Sequence, residues 1–466
     1  MISNIPQLTQ KKSLFHRPIT KNDFGTYFLN YAQENLIDGF SIEQFDSELS
    51  YVQGRFFDVG KKIYVLKVFS SDSGLYWISI FRKRHEKTKV YLNHINFRLE
   101  GIVDTKFVGE FDLGNLHVDQ FSADYSQDRR RWSLMYVKEL NHEYSEIGAV
   151  VYDISGTEIY KQKTVVGSRQ DLLRIEESIL TDSAKILATV VANIPRDFGN
   201  RGMKMNDLYL LRFSNLLAEN KKIPLKNNYF NSQLIIDPAT NDIILGGLYG
   251  DSRGVEIDGS FTIRIKQHDF THEQVLETDF SETMIKKILG VKLSKKNREK
   301  PKNFYFRRMV STSTGKLICI MEQYSESKQL ETYYINGIPQ TSTRILYHCG
   351  DMAVLFIDTI GNIDSCVMIR KDQTGTMYNL YLMGIATYVC KDGIHILYNS
   401  DIARNNEVLD VVIRSDYSIS QKVLLNSDNF YNMIVPIDGK EMEYCTFTVP
   451  LYRDKQWFWM QINGHD

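Results

Sequence analysis

Apolar strands and polar turns alternate along this chain with a period of about 50 to 60 residues. One phrase recurs: an aliphatic strand, a polar turn, then a second and more polar strand. Ala149-Val150-Val151-Tyr152-Asp153 is followed by Gly156, and Val354-Leu355-Phe356-Ile357-Asp358 by Gly361. Looser copies lie at 208–214 and 411–416. A supersecondary unit at that period is the mark of a propeller or solenoid. Strands are predicted at 63–69 and 76–82 about a Ser-Asp-Ser-Gly turn, then at 132–140, 147–153 and 157–166. The same order continues through 185–192, 207–213, 220–225, 242–249, 259–266 and 274–279.

The third strands of the units end near 98, 153, 214, 266, 358, 416 and 463, with one long interval of about 92 residues. Two insertions account for it. Asp279-Phe280-Ser281-Glu282 resembles a capping box, opening a helix with Met284, Ile285, Ile288 and Leu289 on one side and Gly290 as its stop. The basic stretch 295–302 follows, giving an insertion at about 281–304, and a second extra loop is predicted at about 329–349. The expected fold is therefore an all-β propeller of seven blades, within a range of six to eight, because a sandwich needs only about 100 residues. Phe24, Tyr27, Phe28 and Tyr31 follow helical spacing, which predicts a short amphipathic helix in an N-terminal extension over 1–45. The propeller then occupies 46–466 as one domain. Its last unit, at 431–436, 444–449 and 457–462, is one strand short, and a segment between Phe40 and Phe57 is predicted to close the ring.

Composition agrees with a β-rich core: 43% of residues are hydrophobic and 12% aromatic, with 27 Tyr, 25 Phe and only 9 Pro. A net charge of −1, from 56 basic and 57 acidic residues, supplies no bulk field for nucleic-acid binding. The five cysteines at 319, 349, 366, 390 and 445 form no C-x-x-C pair and fall in apolar strand patterns, so buried free thiols are expected, with no cofactor and no metal. No stretch reaches the roughly 18 to 20 apolar residues of a membrane span. The first twenty residues lack the apolar run of an export signal. That predicts a cytoplasmic protein, or a periplasmic or cell-envelope one if such a signal has been removed.

Candidate chemistry is thin. Ser70-Ser71-Asp72-Ser73-Gly74-Leu75-Tyr76-Trp77 approaches the Asp-box of sialidase-type propellers, itself a turn device. His268 and His272 stand four apart, in a pattern that reads as a polar loop without a third ligand. Glu176 and Glu177 are neighbours on a strand and face opposite sides unless a bulge intervenes. Arg129, Arg130, Arg131 and Trp132 join cations to an aromatic, suited to a phosphate or an acidic partner, but fall at a turn. Lys295, Lys296, Arg298 and Lys300 lie in the longer insertion. Gly246 and Gly247 sit in a strand with no helix behind them, so close packing explains them better than phosphate binding.

Two phrases resemble a known group. Ile243-Ile244-Leu245-Gly246-Gly247-Leu248-Tyr249-Gly250-Asp251, continuing to Asp258-Gly259-Ser260-Phe261, is similar to a motif of propeller-like proteins of Bacteroidota bacteria. So is Gly350-Asp351 through Ile357-Asp358 and Gly361-Asn362-Ile363, closing on Ile369-Arg370-Lys371-Asp372-Gln373. The resemblance covers about 105–375. It implies a cell-envelope role and brings no catalytic residue with it.

The expected function is a non-catalytic interaction platform, an accessory of an envelope secretion or uptake complex. The docking element is expected at Met284, Ile285, Ile288 and Leu289 with the basic tail, aided by the arginine cluster. The alternative is a carbohydrate-binding or sialidase-like propeller with acids and aromatics converging on its axis.

Overall fold

The computed structural model describes residues 2–4, 15–31, 39–60, 62–83, 86–112, 120–141, 143–168, 173–192, 207–250, 256–267, 275–290, 300–312, 314–336, 338–402, 406–426, 432–453 and 456–464. The regular structure of the described chain is almost wholly antiparallel strand, in eight sheets of four or five strands, with one α-helix, Glu282–Leu289. The first sheet is built from Phe15–Asn22, Gly25–Tyr31, Phe40–Phe45 and Tyr51–Phe57, each strand paired to the next. The second to seventh sheets follow in chain order over 63–111, 121–166, 174–222, 228–279, 304–375 and 386–425.

The eighth sheet closes a ring. Its strands Asn432–Ile434 and Lys440–Glu443 share the inner place beside Thr446–Arg453; Gln456–Asn463 follows, and Ile2–Asn4 pairs on the outside. Apolar clusters join each sheet to the next. Leu29, Trp77 and Phe97 pack between the first and second sheets, and Phe69, Trp132 and Tyr152 between the second and third. Equivalent clusters bind every later pair. Phe28, Phe45, Leu49 and Trp459 return the eighth to the first, with the Phe28 and Trp459 rings stacked at 3.8 Å. First strands abut their counterparts from Phe15–Asn22 through Phe304–Ser311, and Ala386–Cys390 meets Lys440–Glu443, which returns to the start. This is the β-propeller arrangement, in which closure removes the aggregation-prone edges of separate sheets.

Several expectations change. The N-terminal helix does not form: Gly25–Tyr31 is a strand, and 1–45 is no extension but supplies most of the first sheet and the closing strand. Nearly every side chain of Gly25–Tyr31 is buried, because the strand lies between two packed neighbours. A strand buried on both faces loses the alternation that marks a strand in sequence. That sheet was missing from the count of seven, and the described residues hold eight. The segment 40–57 supplies its third and fourth strands, so closure falls to Ile2–Asn4. The 329–349 insertion is no loop. Leu317–Ile335 and Ile338–Ile357 are strands of 19 and 20 residues, pairing to their tips as a two-stranded arm. Cys319, Cys349 and Cys366 are buried free thiols, whereas Cys390 and Cys445 are joined as a disulfide between the seventh and eighth sheets.

The recurrent Asp turns have a common geometry. Asp153 Oδ1 accepts the Thr157 amide at 2.9 Å, and Asp358 Oδ1 accepts those of Ile360 and Asn362 at 2.9 and 2.8 Å. Each closes the third strand of a sheet onto the fourth, as the sequence reading held. The Asp-box segment is the tight turn between Ile63–Ser71 and Gly74–Phe81. A Cβ on Gly74 would stand 2.3 Å from the Ile95 carbonyl oxygen, and one on Gly393 only 2.2 Å from that of Ile413. Glycine is needed at both because the next strand passes too close for a side chain.

Candidate functional site

First strands line the axis of the ring, and in six of them the pairing with the second strand slips at one residue. The slips fall at Pro18/Thr20, Val65/Lys67, Ile175/Glu177, Tyr229/Asn231, Phe306/Arg308 and Glu441/Glu443. A bulge turns side chains that strict alternation would send elsewhere. Several polar residues beside these bulges clasp the neighbouring sheet. Glu177 Oε2 accepts the Leu234 amide at 2.5 Å, Gln233 Oε1 accepts that of Met309 at 2.5 Å, and Lys440 Nζ donates to the Ile19 carbonyl at 2.8 Å. Lys67 stands 3.7 Å from Asp124. Arg129 Nη1 donates to Thr20 Oγ1 at 3.0 Å and Ser70 Oγ at 2.7 Å, joining the third sheet to the first and second.

These charges are perturbed by their surroundings. Burial pushes the Glu177 carboxyl up to about 7, and burial also raises Asp124 and Glu441. Burial, with Arg129 and Lys67 nearby, brings the Lys440 ammonium down to about 8. Low polarity disfavours the charged form of each group, so the axis is a poorly solvated place for charge.

The first strands of the sixth and seventh sheets stand further apart than the others, and a pocket of about 460 Å³ opens between them. Arg307, Arg308, Glu322, Tyr324 and Cys349 line one side. The segment 383–387 and the Pro436–Gly439 turn line the other. The segment is held by buried amides: Gln373 accepts the Gly384 amide at 3.0 Å, and Asn399 Nδ2 donates to the carbonyls of Leu382 at 2.7 Å and Ile434 at 2.8 Å. Glu322 is fully buried and accepts from Arg307 Nε at 2.8 Å and from Lys371 Nζ, which is also fully buried. A buried ion pair recovers little net stability over an apolar replacement, but losing one partner leaves a costly unpaired charge. Arg308 is different: its Nε is buried with no hydrogen-bond partner among the described residues. Two cations thus meet the Glu322 carboxylate, and the acids in electrostatic reach of Arg308, Glu177 and Glu441, are both raised by burial.

The arrangement suits binding more than bond-breaking. Glu322 is occupied by two cations, and burial pushes the Cys349 thiol up to about 11, so it offers no thiolate near neutral pH. The guanidinium groups of Arg307 and Arg308 remain to face an oxyanion, while the Tyr324 hydroxyl donates to Glu326.

The predicted site residues are scattered. Ser281 caps the helix by accepting the Met284 amide, and Gly290 ends it in the left-handed conformation, as expected. Its apolar stripe turns inward: Ile288 is buried, and Met284 and Ile285 pack on the cluster between the fifth and sixth sheets, with Leu289 half-buried. Lys300 pairs with Asp258, while Lys295, Lys296 and Arg298 lie outside the described residues, as do His268 and His272. The arginine cluster is divided. Arg129 turns to the axis, Arg131 pairs with Asp128 at 2.9 Å in its own turn, Arg130 is exposed, and Trp132 is a core residue stacked on Tyr152 at 4.3 Å. Glu176 and Glu177 do straddle a bulge, and both reach the fifth sheet, at Tyr229 and Leu234. Gly246 and Gly247 are packing residues, beside Met309 and Phe261. The sequence reading missed Arg307, Arg308, Glu322 and Lys371. The only signal was a pair of arginines within an otherwise apolar strand, Phe304–Ser311.

No protein-family model matches the chain, and comparison with curated proteins gives no match. Among solved structures, prolyl oligopeptidase B from Galerina marginata aligns at 8% identity and a TM-score of 0.41, over 94% of this chain and 55% of that one. The chain thus spans about half the length of that protein. A europium-containing methanol dehydrogenase aligns at 9% identity and a TM-score of 0.44, over 98% and 85%. A thermostable family-43 glycoside hydrolase aligns at 13% identity and a TM-score of 0.30, over 57% and 95%. These likenesses concern the fold and carry no chemistry to this chain.

Proposed function

We propose that this chain is a ligand-binding, non-catalytic β-propeller of eight blades that holds an oxyanion-bearing small molecule in the pocket between the sixth and seventh sheets. The observation that carries this reading is Arg308, whose buried Nε lacks a partner beside Arg307 in a pocket with more cations than acids. A guanidinium presents donors in a plane, matching a carboxylate or a phosphate. Removing one such buried partner costs about 2–5 kcal/mol of binding. Titration calorimetry with glucuronate, glucose and inorganic phosphate separates the sources. Binding of glucuronate without glucose supports a sugar-acid ligand, and binding of phosphate alone supports a phosphorylated one. Arg308→Ala is expected to weaken whichever acid binds by at least tenfold. No binding of any acid, or equal binding by the variant, overturns the reading.

A second reading, docking of a protein partner in the manner of an envelope accessory subunit, is favoured by the arm formed by 324–349. Leu330 and Tyr334 are each 71% exposed at its far end, and Ile338 60%. The register sets Leu330, Tyr334 and Ile345 on one face. The fitting occupant is an extended segment of another protein, adding a strand to the open edge of the arm.

A further inference from the structure

Cys390 ends the first strand of the seventh sheet, Asp392 lies in the turn that follows, and His395 stands on the second strand, Gly393–Asn399. One ligating atom from each falls within 4.8 Å of the others. Cys445, in the turn before Thr446–Arg453, brings a second sulfur from the eighth sheet and is joined to Cys390. We propose that Cys390, Cys445, His395 and Asp392 form a zinc site that exists when this disulfide is reduced.

The imidazole carries the argument. His395 is 2% exposed, and its Nδ1 lies 2.9 and 3.1 Å from the two carboxylate oxygens of Asp410. Asp410 is itself fully buried and paired with Lys422 at 3.1 Å. That contact holds the Nδ1 proton and leaves Nε2, which donates to the Asp392 carboxylate at 3.0 Å, as the nitrogen whose proton a metal would displace. The Tyr388 ring, stacked on the imidazole at 4.4 Å, fixes its plane. A histidine oriented through one nitrogen by a buried carboxylate, with the other facing a carboxylate and a sulfur, is the outer arrangement of a bound metal. Two thiolates, one imidazole and one carboxylate suit tetrahedral zinc. With zinc bonds of about 2.0–2.3 Å, ligand atoms stand roughly 3.3–3.8 Å apart, so the Cys390, Asp392 and His395 atoms contract a little while the two sulfurs separate once their bond is broken. Asp392 is 45% exposed in its side chain, so the ion has a path from solvent.

The chemistry balances with a dithiol as reductant. The reductant's two thiols supply two electrons and two protons and close to their own disulfide. The Cys390–Cys445 bond breaks to two thiols. Zinc binding then displaces both thiol protons and the Nε2 proton to solvent. The seventh and eighth sheets stay linked in either state, by a covalent bond when oxidised and by metal when reduced.

The test uses the full chain, reduced anaerobically with dithiothreitol, freed of reductant, and titrated with Co²⁺ as the spectroscopic probe. One equivalent is expected to give tetrahedral d–d bands with thiolate-to-cobalt charge transfer, displaced by zinc, while the oxidised protein gives neither. Cys445→Ser is expected to lose about half of the charge-transfer intensity, since one of two thiolates is gone. Asp410→Asn is expected to weaken binding roughly ten- to a hundredfold with the bands unmoved. The inference fails if the reduced, folded parent shows no charge transfer. It fails equally if dithiothreitol leaves the bond intact in the folded protein, or if Cys445→Ser and Asp392→Asn bind cobalt as tightly as the parent. The parent alone decides the first two outcomes, so a variant that does not fold leaves the result standing.

Discussion

Glu43 sits inside the first sheet at 1% exposure, and one of its carboxylate oxygens has no partner among the described residues. Burial pushes it up to about 7, opposed in part by the nearby Asn30 amide. Asn30 Oδ1 also lies 2.7 Å from Nδ1 of His16, which burial brings down to about 4. The two groups act oppositely on stability. Glu43 binds its proton more tightly folded than unfolded, so its contribution is full below pH 4.5 and is lost as pH rises through 7. His16 contributes fully above pH 6.5 and loses it as pH falls through 4. Glu43→Gln is therefore expected to stabilise the protein at pH 8 by up to about 3 kcal/mol and to leave it unchanged near pH 4.5. Urea unfolding at the two pH values checks this, and equal effects at both would show that charge is not the cause. Neither group drew notice in sequence, because a lone His or Glu in a strand gives no sign of its burial.

The arm of 324–349 carries its prediction as an element. A lone two-stranded hairpin is marginal in water, and this one extends Leu317–Ile335 and Ile338–Ile357 well past the length of an ordinary strand. One face is tied by Arg344 to Glu331 at 3.0 Å, while Leu330, Tyr334 and Ile345 occupy the other. Leu330→Lys with Tyr334→Lys is expected to shift the melting temperature by no more than about 2 °C, since exposed substitutions away from packing are within about 0.5 kcal/mol. The same pair is expected to abolish crosslinking to a bound partner through a photoreactive residue placed at 332. Unchanged crosslinking would remove the arm from the docking surface. The helix Glu282–Leu289 makes the opposite case. Its stripe was legible, yet Ile288 belongs to the molecule's own core.

At the scale of the whole ring, closure depends on a small inter-sheet cluster. Phe28, Phe45, Leu49 and Trp459 are helped by Arg17 with Asp438 at 2.7 Å and Lys21 with Glu443 at 2.7 Å. Phe28→Ala removes a fully buried ring stacked on Trp459 and is expected to cost about 3–5 kcal/mol in urea denaturation. A loss below about 1 kcal/mol would mean that closing the ring adds little to stability. No helix among the described residues is long and apolar enough to cross a membrane.

The repeat of strands, the Asp153 and Asp358 turns and the Ser281-to-Gly290 helix were all determined by sequence alone. Each depends on residues within a few positions of one another, where side-chain chemistry and backbone preference act directly. The first sheet, the closing strand and the pocket depend on tertiary structure. Burial of Gly25–Tyr31 on both faces erased its alternation, and Ile2–Asn4 finds its partner at the far end of the chain. Arg307 and Glu322 meet only where the bulged first strand of the sixth sheet turns back beside the second, and His395 meets Asp410 across two strands. Such encounters are set by packing over long sequence separations, which local patterns do not encode.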